Sequence, residues 1–487
     1  MTRIAIIGGG ISGLAAAHRL AELVARAGVA DRFEIRLYEK RHRTGGVLET
    51  AYADGYLIEK SADNFATLIP HARDLCRRTG YGDQLIKPVS SDRRAFVWLE
   101  GKLHPIPAGF SLMQPTRIGS ILATGALSWP GKLRLLAEPW IPARRDQQDE
   151  SLASFAIRRL GKEAYERLVE PIVSGIFTAD ATTLSMQATM PQFVAMERQH
   201  GSLFRAFLAS KREDARAAAR RASGARYDQF LAPKRGMSDL VEHLTRTLPS
   251  SVSVHTGAAV ETLERLPADR WNVHAGAESF PCAGVILATP AYISSRLLAD
   301  VHPEVYQLLE GIPYASSCVV AVVVRREEIR GRIDGFGMIV PRVAGRPTLA
   351  ISYTSNKYPG RVPEDEILLR VFFGGALHPG ILDEDDRRLT DLALRELAVL
   401  LDWRGEAPRR ADVIRWPRAM PQYLIGHGQR MEQLKAKLQE FPTLALCGAA
   451  YDGVGIPQCV RSAYAAADQL ARHLQVPVPP PVHEAAA

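Results

Sequence analysis

Cysteine is scarce. Five residues in 487, Cys76, Cys282, Cys318, Cys447 and Cys459, are scattered, odd in number and never spaced C-x-x-C. That excludes a disulfide scaffold and predicts reduced, packed thiols in a cytoplasmic protein. The thirteen histidines are equally dispersed, and no His/Cys spacing suits zinc, so no metal is expected. No apolar run reaches the roughly 18 residues that a spanning helix needs. The net charge is +8, yet no run of five Lys or Arg occurs, which argues against nucleic acid. The apolar N-terminal stretch lacks a small-residue cleavage pattern, and no signal peptide is expected. What remains is an ordinary globular composition, 46% hydrophobic and 23% charged, long enough for two or three domains.

The first twenty residues carry the strongest local signal. Residues 4–7 form a short continuous apolar run, as for a central parallel strand buried on both faces. Gly8-Gly9-Gly10-Ile11-Ser12-Gly13 then fits G-x-G-x-x-G, and residues 14–26 follow as a helix with Ala15, Ala16 and Ala17 on its packing side. Gly8 permits the tight turn, Gly10 lets backbone approach a pyrophosphate, and Gly13 allows close helix–strand packing. The helix N-terminus offers free N–H groups to the phosphates. Context supports a dinucleotide. Residues 33–40 read as a second strand ending in Glu39, an acid able to accept bonds from ribose hydroxyls and to repel a 2′-phosphate. Arg43 and the pair Gly45-Gly46 follow, a second close approach of backbone with a cation beside it.

Beyond residue 60 the alternation of strand and helix breaks. Residues 93–110 predict a hairpin about Glu100-Gly101 and a proline-rich turn, and residues 151–170 one amphipathic helix. Residues 203–225 predict a helix rich in Ala and Arg. Between Arg205 and Arg235 nine Lys/Arg stand against three Asp/Glu, a solvated face or a guide for an anionic substrate or lipid. Residues 106–142 hold scattered Leu and Ile with Trp129 and Trp140, broken by Pro115 and Pro130. Core packing as short helices is the favoured outcome there, a shallow interfacial contact the other. Residues 233–290 return to glycine–helix and strand patterns, residues 313–375 hold several antiparallel strand candidates, and residues 443–470 run strand, Gly-rich loop, helix. The fold class expected is α/β: a Rossmann-like dinucleotide domain from 1–60, 230–300 and 430–475, a mixed α+β substrate domain from 61–94 and 301–429, a helical insertion over 95–229 and a flexible tail over 476–487.

The glycine fingerprint, acid and Arg-x-Gly-Gly together resemble the FAD-containing superfamily of amine oxidases, phytoene desaturases and protoporphyrinogen oxidases. Residues 101–110, 169–186, 335–341, 420–427 and 451–463 are similar to segments of its oxygen-dependent protoporphyrinogen/coproporphyrinogen oxidases. That resemblance implies non-covalent FAD contacts at Gly8, Gly9, Gly10, Ile11, Ser12 and Gly13, then at Glu39, Lys40, Arg43, Gly46 and Val47. It extends them to Ser61, Ala62, Asp63 and Asn64, to Val260 and Trp416, and to the loop of Val454, Gly455 and Ile456. A tetrapyrrole pocket would fall on Phe336, Gly337 and Ile339 with Phe372 opposite, and a propionate contact on Arg94. The chain departs from the family at Lys60-Ser61-Ala62-Asp63-Asn64, where Gly-Pro is usual.

The implied activity is oxidation of a porphyrinogen to the porphyrin with O2, giving H2O2, in heme biosynthesis. Lys60, Arg93 and Arg94 as cations at the pocket mouth favour coproporphyrinogen III over protoporphyrinogen IX. No general base is evident: Asp180 is a proton acceptor or a turn cap, His427 and His378 are structural or surface residues, and Cys447 and Cys459 are buried thiols. The implied setting is cytoplasmic, with at most peripheral, salt-sensitive association at the inner face of a membrane. A homodimer or contact with the next heme-pathway enzyme is open. Another amine oxidase or carotenoid desaturase, or a flavin-binding protein without oxidase activity, are the alternatives.

Overall fold

The computed structural model describes residues 1–89, 94–107, 110, 111, 113–115, 118–218 and 230–479. Arg93, residues 219–229 of the basic stretch between Arg205 and Arg235, and the last eight residues of the tail lie outside them. Three distant stretches of chain meet in one parallel sheet, ordered Val252–Thr256, Phe33–Glu39, Thr2–Ile7, Gly284–Leu287 and Leu444–Leu446. Its central strand is apolar without alternation because both faces are covered: Ile4, Ala5 and Ile6 have no exposed surface. Helices Ile11–Arg26 and Ile456–His473 lie side by side on one face, meeting through small residues such as Ala16, Ala17, Ala463 and Ala467. On the other face sits a three-stranded antiparallel layer, Val260–Leu266, Arg270–Ala275 and Glu278–Cys282. Its Trp271 is wholly buried and donates Nε1–H to Thr443 Oγ1 at 2.9 Å.

A second sheet has seven strands, ordered Arg410–Pro421, Tyr314–Arg325, Glu366–Gly374, Ala350–Tyr353, Gly337–Ile339, Ala95–Leu99 and Lys102–Pro105. Every pair is antiparallel except Gly337–Ile339 with Ala95–Leu99. The hairpin 95–105, assigned from sequence to the helical insertion, therefore closes the edge of this sheet. Phe96 and Val97, both unexposed, point to opposite faces and need cover on each. Helix Asp386–Leu401 covers one face, packing Leu389, Ala393 and Leu397 onto Cys318, Val320, Leu369 and Val371.

Short helices follow the hairpin. The single helix expected over 151–170 is interrupted: Leu152–Leu160 stops at Gly161, whose φ of +93° lies in glycine's territory. The chain then winds as a π-helix over Tyr165–Val169 just before Pro171, which has no N–H for the preceding turn. Wholly buried Arg159 donates Nε–H to Glu138 at 2.9 Å. Glu138 also accepts from the backbone N–H of Leu203 (2.9 Å) and Phe204 (3.2 Å), the start of helix Leu203–Ala218. Core packing over 106–142 holds for Ile121, Leu127 and Leu135, which are buried. It does not hold for Trp129, Leu133 and Trp140, exposed by 64, 63 and 76%. Among the described residues no helix is long and apolar enough to cross a membrane.

Candidate cofactor and substrate sites

The turn after the first strand shows three glycines with three different reasons. Gly8 has φ +108°, and a Cβ there would lie 2.8 Å from the Ala288 carbonyl oxygen. A Cβ on Gly13 would fall 1.8 Å from the Gly8 carbonyl oxygen, so helix Ile11–Arg26 can rest on the strand only because that carbon is absent. Gly10 has an ordinary φ of −70° and nothing within 4 Å of where its Cβ would be. Neither backbone nor packing asks for glycine at position 10; the open space beside it is a cradle that a side chain would fill. Gly10 is also the N-cap of a helix with no side-chain cap and no acid in its first turn. Ile11 and Ser12 begin that helix, with Ser12 buried. These N–H groups are left for an anionic partner.

Glu39, at the end of its strand, is 8% exposed and accepts from Gly9 N–H (2.8 Å) and Arg41 N–H (2.9 Å). Opposite, Gly45 N–H donates to the Gly9 carbonyl at 2.7 Å, and Gly45 (φ +100°) and Gly46 (φ +59°) bring a second strip of backbone against Gly10. Arg43 lies beside the glycine pair, as its spacing suggests. Its guanidinium donates to the carbonyls of Thr44 (3.0 Å), Gly46 (3.0 Å) and Leu48 (3.2 Å) and pairs with Glu49, so it braces the glycine strip. Lys40 and Val47 are exposed. Val260 begins its strand just beyond Ala258, whose N–H donates to the Glu39 carbonyl at 3.0 Å.

The segment that departs from the family is built into a buried ion cluster. The Lys60 carbonyl accepts from Trp416 Nε1–H at 2.8 Å, and the Ser61 carbonyl from Arg370. Asp63 lies 3.4 Å from Lys357 Nζ and 3.8 Å from an Arg370 nitrogen, while Asn64 donates to it at 2.9 Å. Burial pushes the Asp63 carboxyl up, but Lys357, Arg370 and Arg361 outweigh it and hold the group below its usual range. Ala62 packs on the core of the parallel-sheet unit. Arg370 and Lys357 were not found from sequence, since some 300 residues separate Asp63 from both and no local pattern joins them.

Val454, Gly455 and Ile456 lead into helix Ile456–His473, again without side-chain cap or first-turn acid. Cys447 and Cys459 are buried and free. Burial pushes both thiols up, Cys459 to about 11, so neither presents a thiolate for a covalent link. Asp180 accepts from Thr182 N–H (2.8 Å) and Oγ1–H (2.7 Å) and is a turn cap.

On the seven-stranded sheet, Val97, Ile339, Ala350, Phe372, Val319 and Ile414 stand in register across six strands, and so share one face. This is the face that helix Asp386–Leu401 leaves uncovered. At one end Val97 and Ile339 pack on the helices; at the other Val319 and Ile414 pack with Ile58 and Trp416. In the middle Ile339, Ala350 and Phe372 stay half-buried. Gly337 belongs to the same face, and a Cβ there would meet the Ile351 carbonyl at 2.3 Å. Phe336 does not join them: it lines a separate cavity of about 610 Å³ with Val89, Arg326, Ile333 and Asn356. Arg94 is exposed and lies 3.9 Å from Asp334 on that cavity's wall, and Lys60 pairs with Glu49, so neither is a free cation at the half-buried face.

The glycine cradle, the acid at the end of the second strand and the two uncapped helices suit a dinucleotide with an extended second half. Residues 11–471 match the model of the family described as flavin containing amine oxidoreductase. The chain is 30% identical to a coproporphyrinogen III oxidase of Bacillus subtilis, over 97% of this chain and 98% of the relative. It is 29% identical to the chloroplastic protoporphyrinogen oxidase of Oryza sativa, over 96% and 88%. A solved structure from Exiguobacterium sp. 255-15, assigned to protoporphyrinogen oxidase, superposes with a TM-score of 0.81 at 29% identity, covering 97% of this chain and 99% of the other. The chain belongs to the flavin containing amine oxidoreductases, and its cofactor is FAD.

Proposed function

We propose that the chain oxidises a porphyrinogen, coproporphyrinogen III by preference, to the corresponding porphyrin in heme biosynthesis. The observation that carries this reading is the sheet face covered at both ends and open in the middle. It is an apolar, half-buried strip at Ile339, Ala350 and Phe372, with Ile58 and Trp416 packed at the Phe372 end. A reduced tetrapyrrole is a flat apolar ring with anionic arms, and such a strip orients it without supplying chemistry. Relatives with near-complete overlap act, by name, on coproporphyrinogen III and on protoporphyrinogen. Preference between the two rests on the names of the relatives at 30% identity.

Bound flavin supplies a two-electron acceptor that O2 restores with release of H2O2, so the six-electron oxidation takes three rounds. The chain's part is placement. Gly10 leaves room for the pyrophosphate, the start of helix Ile11–Arg26 would hold it, and that of helix Ile456–His473 would meet the flavin ring or its phosphates. Glu39, at the end of its strand, would accept from the ribose hydroxyls. Trp416, pinned to the Lys60 carbonyl, packs with Phe372 at one end of the strip.

Exposed Trp129, Leu133 and Trp140, with Ile118 and Leu122 beside them, suit at most a peripheral contact with anionic lipid. Low-salt sedimentation with anionic vesicles is expected to capture the protein, with release at high salt and weaker capture of Trp140→Ser. Capture that survives high salt and needs detergent would contradict a peripheral mode.

Gly10→Ala is expected to leave the melting temperature of the apoprotein within about 2 °C of the parent while weakening FAD binding at least tenfold, because its methyl enters open space. Gly13→Ala is expected to destabilise the apoprotein itself by about 3 kcal/mol or more, as an overlap with backbone cannot be relaxed locally. Equal effects of the two on apoprotein stability would remove the cradle from the account. Anaerobic mixing with coproporphyrinogen III should bleach the bound flavin, and air should restore it. Protoporphyrinogen IX should bleach it more slowly. A flavin unmoved by either substrate would refute the oxidase reading.

A further inference from the structure

Residues 420–427 match a family segment, yet nothing above gives them a task. The strand Arg410–Pro421 leaves the sheet there, and the next residues touch three parts of the molecule at once. Gln422 Nε2–H donates to the Phe177 carbonyl at 3.1 Å, and Ser185 N–H donates to the Tyr423 carbonyl at 2.8 Å. Ile425 N–H donates to the Thr183 carbonyl at 3.0 Å, and Gly426 N–H to Asp149 at 3.1 Å. These bonds tie the segment to the helices that cover one end of the substrate strip.

The Tyr423 side chain goes the other way. Its hydroxyl donates to the Ala449 carbonyl at 2.5 Å and accepts from Gly453 N–H at 2.8 Å, bridging both ends of the turn before Gly455. That turn is conformationally demanding: Gly448 and Gly453 have φ of +130° and +117°. A phenol is both donor and acceptor and long enough to span it. The ring is 3% exposed and stacks on His427, with centroids 4.1 Å apart and planes 8° from parallel. Burial, then the nearby Arg430, lowers the His427 pKa to about 4, so the stacked partner is neutral near pH 7.

We infer that Tyr423, steadied by His427, is a positioning residue: it holds the 449–453 turn so that Gly455 and the start of helix Ile456–His473 meet FAD in one geometry, and its backbone joins that turn to the helices over the substrate strip. The inference rests on the flavin site proposed above but not on the identity of the substrate. Tyr423 contacts neither reactant and acts through the turn.

Tyr423→Phe removes one oxygen and keeps the ring. In the purified holoprotein, without porphyrinogen, FAD release on dilution is followed by flavin fluorescence, and the bound flavin by its visible circular dichroism and reduction potential. The dissociation constant should rise about tenfold, equivalent to about 1.4 kcal/mol, and both the dichroic bands and the potential should move. His427→Ala should shift all three in the same direction by less, while His427→Phe, which restores a stacked ring, should stay within about twofold of the parent. A Tyr423→Phe protein that melts lower but keeps parental FAD affinity, dichroism and potential would overturn the inference, as would an unperturbed His427→Ala if the first variant fails to fold. Failure of the flavin site itself would show separately, as unchanged FAD affinity in Gly10→Ala.

Discussion

Helix Ile11–Arg26 rests on the turn before it so closely that one added carbon at Gly13 would sit 1.8 Å from the Gly8 carbonyl oxygen. Much of the site follows from this contact. It fixes where the helix begins, and so where its unsatisfied N–H groups point. It leaves the position of the Gly10 side chain facing empty space. It also sets the turn against which Glu39 folds back, since a Cβ on Gly9 would lie 2.8 Å from that of Glu39. The second glycine strip, at Gly45 and Gly46, then closes on Gly10 and is braced from behind by Arg43. Positive dipole ends and close backbone are what a pyrophosphate requires, and both come from one packing constraint.

From the cradle the arrangement passes to the seven-stranded sheet through buried charge. Asp63 pairs with Lys357 and Arg370, and Glu59 with Arg361 lies alongside. Ions removed from water are kept only when each finds a partner, and here Arg370 comes from the seven-stranded sheet, Glu59 from strand Tyr56–Glu59 and Lys357 from helix Thr354–Lys357. The cluster thereby ties residues 59–63 to the seven-stranded sheet. Few ionisable groups are needed on the strip at Ile339, Ala350 and Phe372, because electron transfer belongs to the flavin and the protein's work is orientation.

Legibility from sequence tracked the range of the interactions. Gly8 and Gly13 could be read because a tight turn and a helix–strand contact are local demands. The parallel sheet from three separated stretches could be read because 4–7, 284–287 and 443–446 are each short apolar runs beside glycine. The spacing of Arg43 shows a cation beside the glycines but not that it donates to the carbonyls of Thr44, Gly46 and Leu48. The resemblance carries Phe336 together with Gly337 and Ile339, whereas in the fold Phe336 lines the cavity of Arg326 and Asn356 and Gly337 and Ile339 share the other face. The hairpin 95–105 was placed with the helices because edge pairing with residues 337–339 is a long-range choice. The same holds for Tyr423, whose partners at 449 and 453 lie across a helix and a strand in sequence.

The central claim is that the cradle at Gly10 and the half-buried strip at Ile339, Ala350 and Phe372 form one site. A crystal structure of the protein grown with FAD and the product coproporphyrin III tests it most directly. The account predicts the pyrophosphate against Gly10 and the porphyrin plane lying along that strip beside the flavin ring. A porphyrin seated instead in the cavity of Phe336, Arg326 and Asn356, with the strip bare, would contradict it.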